Sequence, residues 1–125
     1  MKPFLLIGMG GFVGALLRFY VAGWIQSLFE SFGFPFGTMG VNLLGCLILG
    51  FLGGLSEHLG IIPQEVRLLV MVGLLGSFTT FSTFGYETLC LLRDGTVFYA
   101  ILNVAVQVVL GLLAAWAGFV LAHQF

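Results

Sequence analysis

A chain of 125 residues is one domain at most, and only nine of its side chains are charged, four Lys/Arg and five Asp/Glu. That 7 % compares with about 25 % in soluble domains; with 60 % hydrophobic residues and a mean hydropathy of +1.17, the chain needs a bilayer rather than water around it. The composition argues against a soluble enzyme, a disordered tail or a basic nucleic-acid binder, and a net charge of -1 offers no field to a polyanion.

The charges bound four uncharged runs, Pro3–Leu17, Ser31–Ser56, Leu68–Tyr86 and Gly95–Phe125, of 15, 26, 19 and 31 residues. A helix crossing the hydrocarbon needs about 20 residues, and the first run reaches that by continuing through Arg18. The pattern predicts an all-α integral membrane protein, a single four-helix domain over 1–125 with helices at about 4–28, 37–56, 67–92 and 97–122. Pro35 and Pro63 suit helix entries. Lys2 before an apolar run has the look of a signal peptide, but no small-residue cleavage site follows, so helix 1 is expected in the mature protein. Cys46 and Cys90 make neither a disulfide framework nor a metal spacing.

Helix 1 carries Gly10 and Gly14, a G-x-x-x-G pair; helix 2 repeats it at Gly50 and Gly54, and helix 4 has Gly111 and Ala115. Small faces let helices approach closely in lipid, within one chain or between two. Gly8 to Gly14 is not a dinucleotide fingerprint, since no strand or βαβ unit accompanies it. Arg18 is the basic residue inside a span; it either snorkels to an interface or draws anions into a vestibule.

On helix 2, Asn42 lies five residues past Gly37, about 8 Å deeper at 1.5 Å per residue. Its amide can tie helices together or donate two hydrogen bonds to an anion. Thr38 shares its face at i, i+4 spacing.

Helix 3 holds Ser77, Thr79, Thr80, Ser82 and Thr83 around its midpoint. Together with Gly76 they make a poor continuous helix, so a break at midplane is expected, and a break frees carbonyls able to hold a cation. Phe78, Phe81 and Phe84 recur every third residue and would align if the turn tightened toward 3₁₀ geometry. As a bare stripe they read as packing; presented edge-on, the positive ring edges stabilise an anion without binding it tightly. Glu87 falls near the end of the helix and reads as interfacial, with a place at a pore mouth as the alternative. Helix 4 adds Asn103 and Gln107, again i, i+4, a second polar stripe or a helix contact. His58 and His123 sit at span ends without ligand-spaced partners.

Both termini and the second loop share one side, with Lys2 and Arg67, against Arg93 and any part of Arg18 on the other. The positive-inside bias is nearly even, which permits insertion both ways and an antiparallel homodimer.

With these residues assembled, the chain resembles the CrcB/Fluc family of fluoride channels along essentially its whole length. Three blocks carry the likeness: Gly10, Gly11, Gly14, Ala15 and Arg18; Gly37, Thr38, Asn42 and Gly45; and Gly73, Gly76 and Thr79 to Phe84. The resemblance implies a dual-topology, antiparallel homodimer in the plasma membrane, the inner membrane of a bacterium, with two fluoride pores lined by both subunits. It implies that Phe81 and Phe84 coordinate fluoride, that Asn42 donates to it, and that Thr38, Ser82 and Thr83 line the path. It also implies a structural sodium ion caged by the Gly76 and Thr79 carbonyls of both subunits. Two departures stand out: Ser77 replaces a glycine of many relatives, and helix 4 has no serine or threonine after Thr96, where Asn103 and Gln107 are the candidates to substitute. The implied activity is passive efflux of fluoride, not catalysis. The alternative is a proton-coupled transporter of the small multidrug type, which needs a membrane-embedded carboxylate where helix 1 has Arg18.

Overall fold

The computed structural model describes residues 2–125. Four helices are long and apolar enough to cross a membrane: α1 (Lys2–Leu28), α2 (Phe36–His58), α3 (Gln64–Arg93) and α4 (Val97–Ala122). The protein is therefore a multi-pass membrane protein. Proline stands immediately before α2 and α3, at Pro35 and Pro63. The loops after α2 and α3 turn through Gly60 (φ 62°) and Gly95 (φ 77°), left-handed positions where a Cβ would be strained. The α1–α2 loop is pinned by Gln26, whose Nε2 donates to the Phe34 carbonyl (3.0 Å) while its Oε1 accepts from the Gly37 N–H (2.9 Å).

The helices pack as two pairs, α1 against the first half of α3 and α2 against α4, with α1 touching α2 and the second half of α3 touching α4. The glycines make this closeness possible. A Cβ on Gly10 would overlap the Leu69 carbonyl, and one on Gly14 that of Leu74; likewise, Gly50 lies against the Ala115 backbone and Gly118 against Leu47. Gly10, Gly14, Gly50 and Gly54 are thus occupied by packing within the chain.

α3 is not one regular helix. After a short α-turn, Arg67–Leu75 is wound with i→i+5 bonds, and an α-turn follows at Gly76–Phe78. The wide winding brings Leu69 and Leu74, five residues apart, to the same glycine on α1. Thr79 (φ −86°, ψ 159°) and Thr80 (φ −152°, ψ 118°) are then extended, and an α-helix resumes at Phe81–Arg93. The helix is bent where the hydroxyl cluster predicts. It does not tighten into a 3₁₀ turn: Phe78 lies before the break and is buried, so the aligned pair is Phe81 and Phe84, both on the resumed α-helix.

Candidate functional site

The Thr79 N–H still donates to the Leu75 carbonyl (3.1 Å), but the break takes the backbone groups of Thr80 out of the helical ladder inside an apolar span, and those groups need partners. Asn42 supplies them for Thr80. Its Oδ1 accepts from the Thr80 N–H (2.8 Å) and its Nδ2 donates to the Thr80 carbonyl (3.1 Å). This pairing fixes which way the amide faces, because N–H can only donate and C=O only accept. Gly45, one turn further along α2, lacks the side chain that would collide with the Thr79 methyl.

From Asn42 the hydrogen bonds run in one direction. Its second Nδ2 proton goes to Gln107 Oε1 (2.8 Å), Gln107 Nε2 donates to Asn103 Oδ1 (2.9 Å), Asn103 Nδ2 to Thr88 Oγ1 (2.9 Å), and Thr88 Oγ1 to the Phe84 carbonyl (2.8 Å). Asn103 is 0 % exposed and Gln107 is buried. The two amides of α4 therefore tie α2 to the resumed half of α3. Thr80 also caps that half: its Oγ1 accepts from the Thr83 N–H (3.2 Å) and donates to Thr83 Oγ1 (3.0 Å), with Ser82 Oγ at 3.4 Å.

Two clefts meet at Thr80. One, of about 280 Å³, is lined by Asn42, Thr79, Phe81, Phe84 and Gln107 among others. The Phe81 and Phe84 rings are 5.6 Å apart between centroids and tilted by 55°; Phe84 is 9 % exposed and Phe81 82 %. The other cleft, of about 360 Å³, holds Arg18, Thr38, Thr83 and Glu87. Thr38 is buried and donates to Glu87 Oε1 (2.7 Å), while Glu87 Oε2 is buried without a hydrogen-bond partner. Ser82 lines neither cleft but is exposed beside Phe81 on the outer face.

The fold thus brings Asn42, Phe81, Phe84 and Gln107 together, and Arg18, Thr38 and Thr83 separately. Asn103 lines neither cleft and is wholly enclosed. Two further residues, named in the sequence but not assigned there to line the path, take part. Thr80 is the hinge of both clefts, and Glu87 is the partner of Thr38. Their signal was present, since Thr80, Thr83 and Glu87 follow at i, i+3 and i+7, one polar face of a helix.

A backbone-carbonyl cation site fits the break on one observation. In a continuous helix the Thr80 N–H would bond the Gly76 carbonyl, but here it is given to Asn42. Thr79 is extended, so its carbonyl also leaves the helical ladder. Gly76 is exposed on the outer face of the chain. Among the described residues no cluster of three His, Cys, Asp or Glu side chains offers an alternative.

A bundle of four apolar helices with a polar, broken midplane and two clefts meeting there is the architecture of a membrane transport protein. Residues 5–119 match the family profile described as CrcB-like protein, Camphor Resistance (CrcB). The chain is 48 % identical over 118 residues to a fluoride-specific ion channel FluC of Chlorobium phaeobacteroides, covering 94 % of this chain and 91 % of that one. It is 42 % identical to fluoride-specific ion channel FluC 1 of Methanosarcina acetivorans over 94 % of this chain and 88 % of the other. It is also 42 % identical to a FluC of Geobacter sulfurreducens over 99 % of each. The chain belongs to the CrcB family, a family of channels rather than enzymes.

Proposed function

We propose that this chain is a fluoride-selective channel whose working unit is an antiparallel homodimer with two pores, giving passive fluoride efflux across the plasma membrane. The observation that carries the reading is the pairing of Asn42 with the broken backbone at Thr80, beside the Phe81–Phe84 cleft. The fluoride channels to which the chain is similar support the choice of ion.

In this reading Arg18 raises the anion concentration at its cleft, as a positive charge between low-dielectric walls does. Hydroxyls of Ser82 and Thr83, and that of Thr38 when its proton turns from Glu87 to the ion, replace water around the ion, and the ring edges of Phe81 and Phe84 face it. Asn42 holds Thr80 with one amide proton and lends the ion the proton otherwise given to Gln107. Asn103 fixes Gln107 and stays outside the path. The Gly76 and Thr79 carbonyls of two chains would hold a sodium ion, which supplies positive charge to tie the breaks together. Ser77 leaves those carbonyls free, since its Oγ faces Gly11 of α1.

Proton coupling is the competing reading, and it rests on Glu87, a carboxylate inside a span with one oxygen unpartnered. Liposomes containing only this protein separate the two. Fast fluoride efflux without a pH gradient, with chloride retained, is expected; no efflux, or efflux that needs the gradient, would defeat the channel reading. Phe81→Ile and Asn42→Asp are each expected to suppress flux, and normal flux in both would overturn the pore assignment.

A further inference from the structure

His58 and His123 have no part in the proposed ion path and line neither cleft. His58 is the last residue of α2, and His123 caps the end of α4. Because α2 and α4 pack along their length, the two imidazoles come side by side, 4.8 Å between centroids with a tilt of 35°. Both residues are exposed and reachable from water.

The protonation pattern of His123 follows from its partner. Its Nδ1 lies 2.9 Å from the Phe119 carbonyl oxygen, and a carbonyl can only accept. Nδ1 therefore carries a proton and donates it, which leaves the lone pair of the neutral ring on Nε2. Metal-binding histidines are oriented in this way, with the second ring nitrogen given to a carbonyl or carboxylate. The Phe119 ring, 4.6 Å away, further restrains the imidazole. Two helix carboxyl ends meet at this place, and their unpaired carbonyls favour a positive ion.

We propose that His58 and His123 together form a two-histidine site for a divalent transition-metal ion of the zinc, nickel or copper type. Imidazole nitrogen suits these ions and not magnesium or calcium, which take oxygen ligands. Among the described residues no group of three His, Cys, Asp or Glu side chains forms a metal cluster, so the site rests on these two imidazoles. Bound there, the ion fastens the end of α2 to the end of α4.

The test is calorimetric titration of the untagged full chain in detergent micelles with Zn²⁺, then Ni²⁺, with Mg²⁺ as control. Saturable binding at one ion per chain is expected, with a thermal midpoint that rises as Zn²⁺ is added, and loss of both in His58→Ala and in His123→Ala. No saturable binding in the parent, binding retained by either variant, or an equal response to Mg²⁺ overturns the site. Fluoride flux by both variants is expected to be unchanged, which reports that they fold. Should either alanine variant misfold, glutamine at the same position removes the ring nitrogen while keeping the size. The proposal stands apart from the channel reading, because metal binding and flux are read separately.

Discussion

Asn42 makes three hydrogen bonds, two of them to the backbone of a single residue. Replacing it with alanine orphans the Thr80 N–H and carbonyl in an apolar span, at about 1–3 kcal/mol for each buried group. Gln107→Ala removes one acceptor from Asn42 and the donor to Asn103 Oδ1, and leaves the Thr80 pairing intact. Thermal unfolding in detergent is therefore expected to fall in both variants and further in Asn42→Ala; equal losses would show that the backbone pairing is not what Asn42 contributes. Arg18 has a different role, since it faces a cleft rather than a bonded partner. If it concentrates anions there, Arg18→Gln lowers fluoride flux, and the deficit shrinks as inert salt screens the charge. A deficit independent of salt would assign Arg18 to structure instead. The type of residue needed at these positions was readable in the chain, as an amide and a lone basic residue within apolar helices. Their partners were not, because Asn42 and Thr80 are 38 positions apart and Thr38 and Glu87 are 49.

The close pairing of α1 with the first half of α3 depends on which glycine faces the partner, not on glycine content. Gly8 and Gly10 sit two residues apart on α1, and a Cβ at Gly8 meets nothing within 4 Å while one at Gly10 overlaps the Leu69 backbone. Gly10→Ala is expected to destabilise the fold by about 1–3 kcal/mol, the range for overpacking a close contact. Gly8→Ala is expected to be neutral or to stabilise by up to about 1 kcal/mol, because alanine loses less freedom in a helix. Paired unfolding curves decide it, and a reversed order would refute the packing described. The break in α3 was legible from five hydroxyls and a glycine at its centre. The i→i+5 winding of Arg67–Leu75 was not, because it matches that stretch to the spacing of α1, a neighbour distant in sequence.

A single chain leaves Phe81 largely exposed and Ser82, Thr83 and Gly76 on its outer surface in the region of the break. Hydroxyls and free carbonyls facing lipid are costly, so a second copy over that face is the economical arrangement. The mass in mild detergent is expected to be twice 13.5 kDa; a monomer that still conducts fluoride would rule the dimer out. The nearly even balance of Lys2 and Arg67 against Arg93 and any share of Arg18 predicts a further result. Several lysines added to one loop should orient all chains alike and abolish flux, and coexpression with an oppositely biased chain should restore it. Flux from the biased chain alone would speak for parallel or single-chain function.

Nine charges among 125 residues were enough to require a bilayer and mark out four spans, and the hydroxyl cluster was enough to bend the third. These properties are local: each follows from the solubility or helix preference of residues close together in the chain. The pairing of Asn42 with Thr80, the one-way amide chain through Gln107 and Asn103, and the meeting of His58 with His123 arise only when α2, α3 and α4 pack. Hydrogen bonds and ring contacts have ranges of a few ångströms, and no composition or periodicity records which distant residues the packing will bring within that reach.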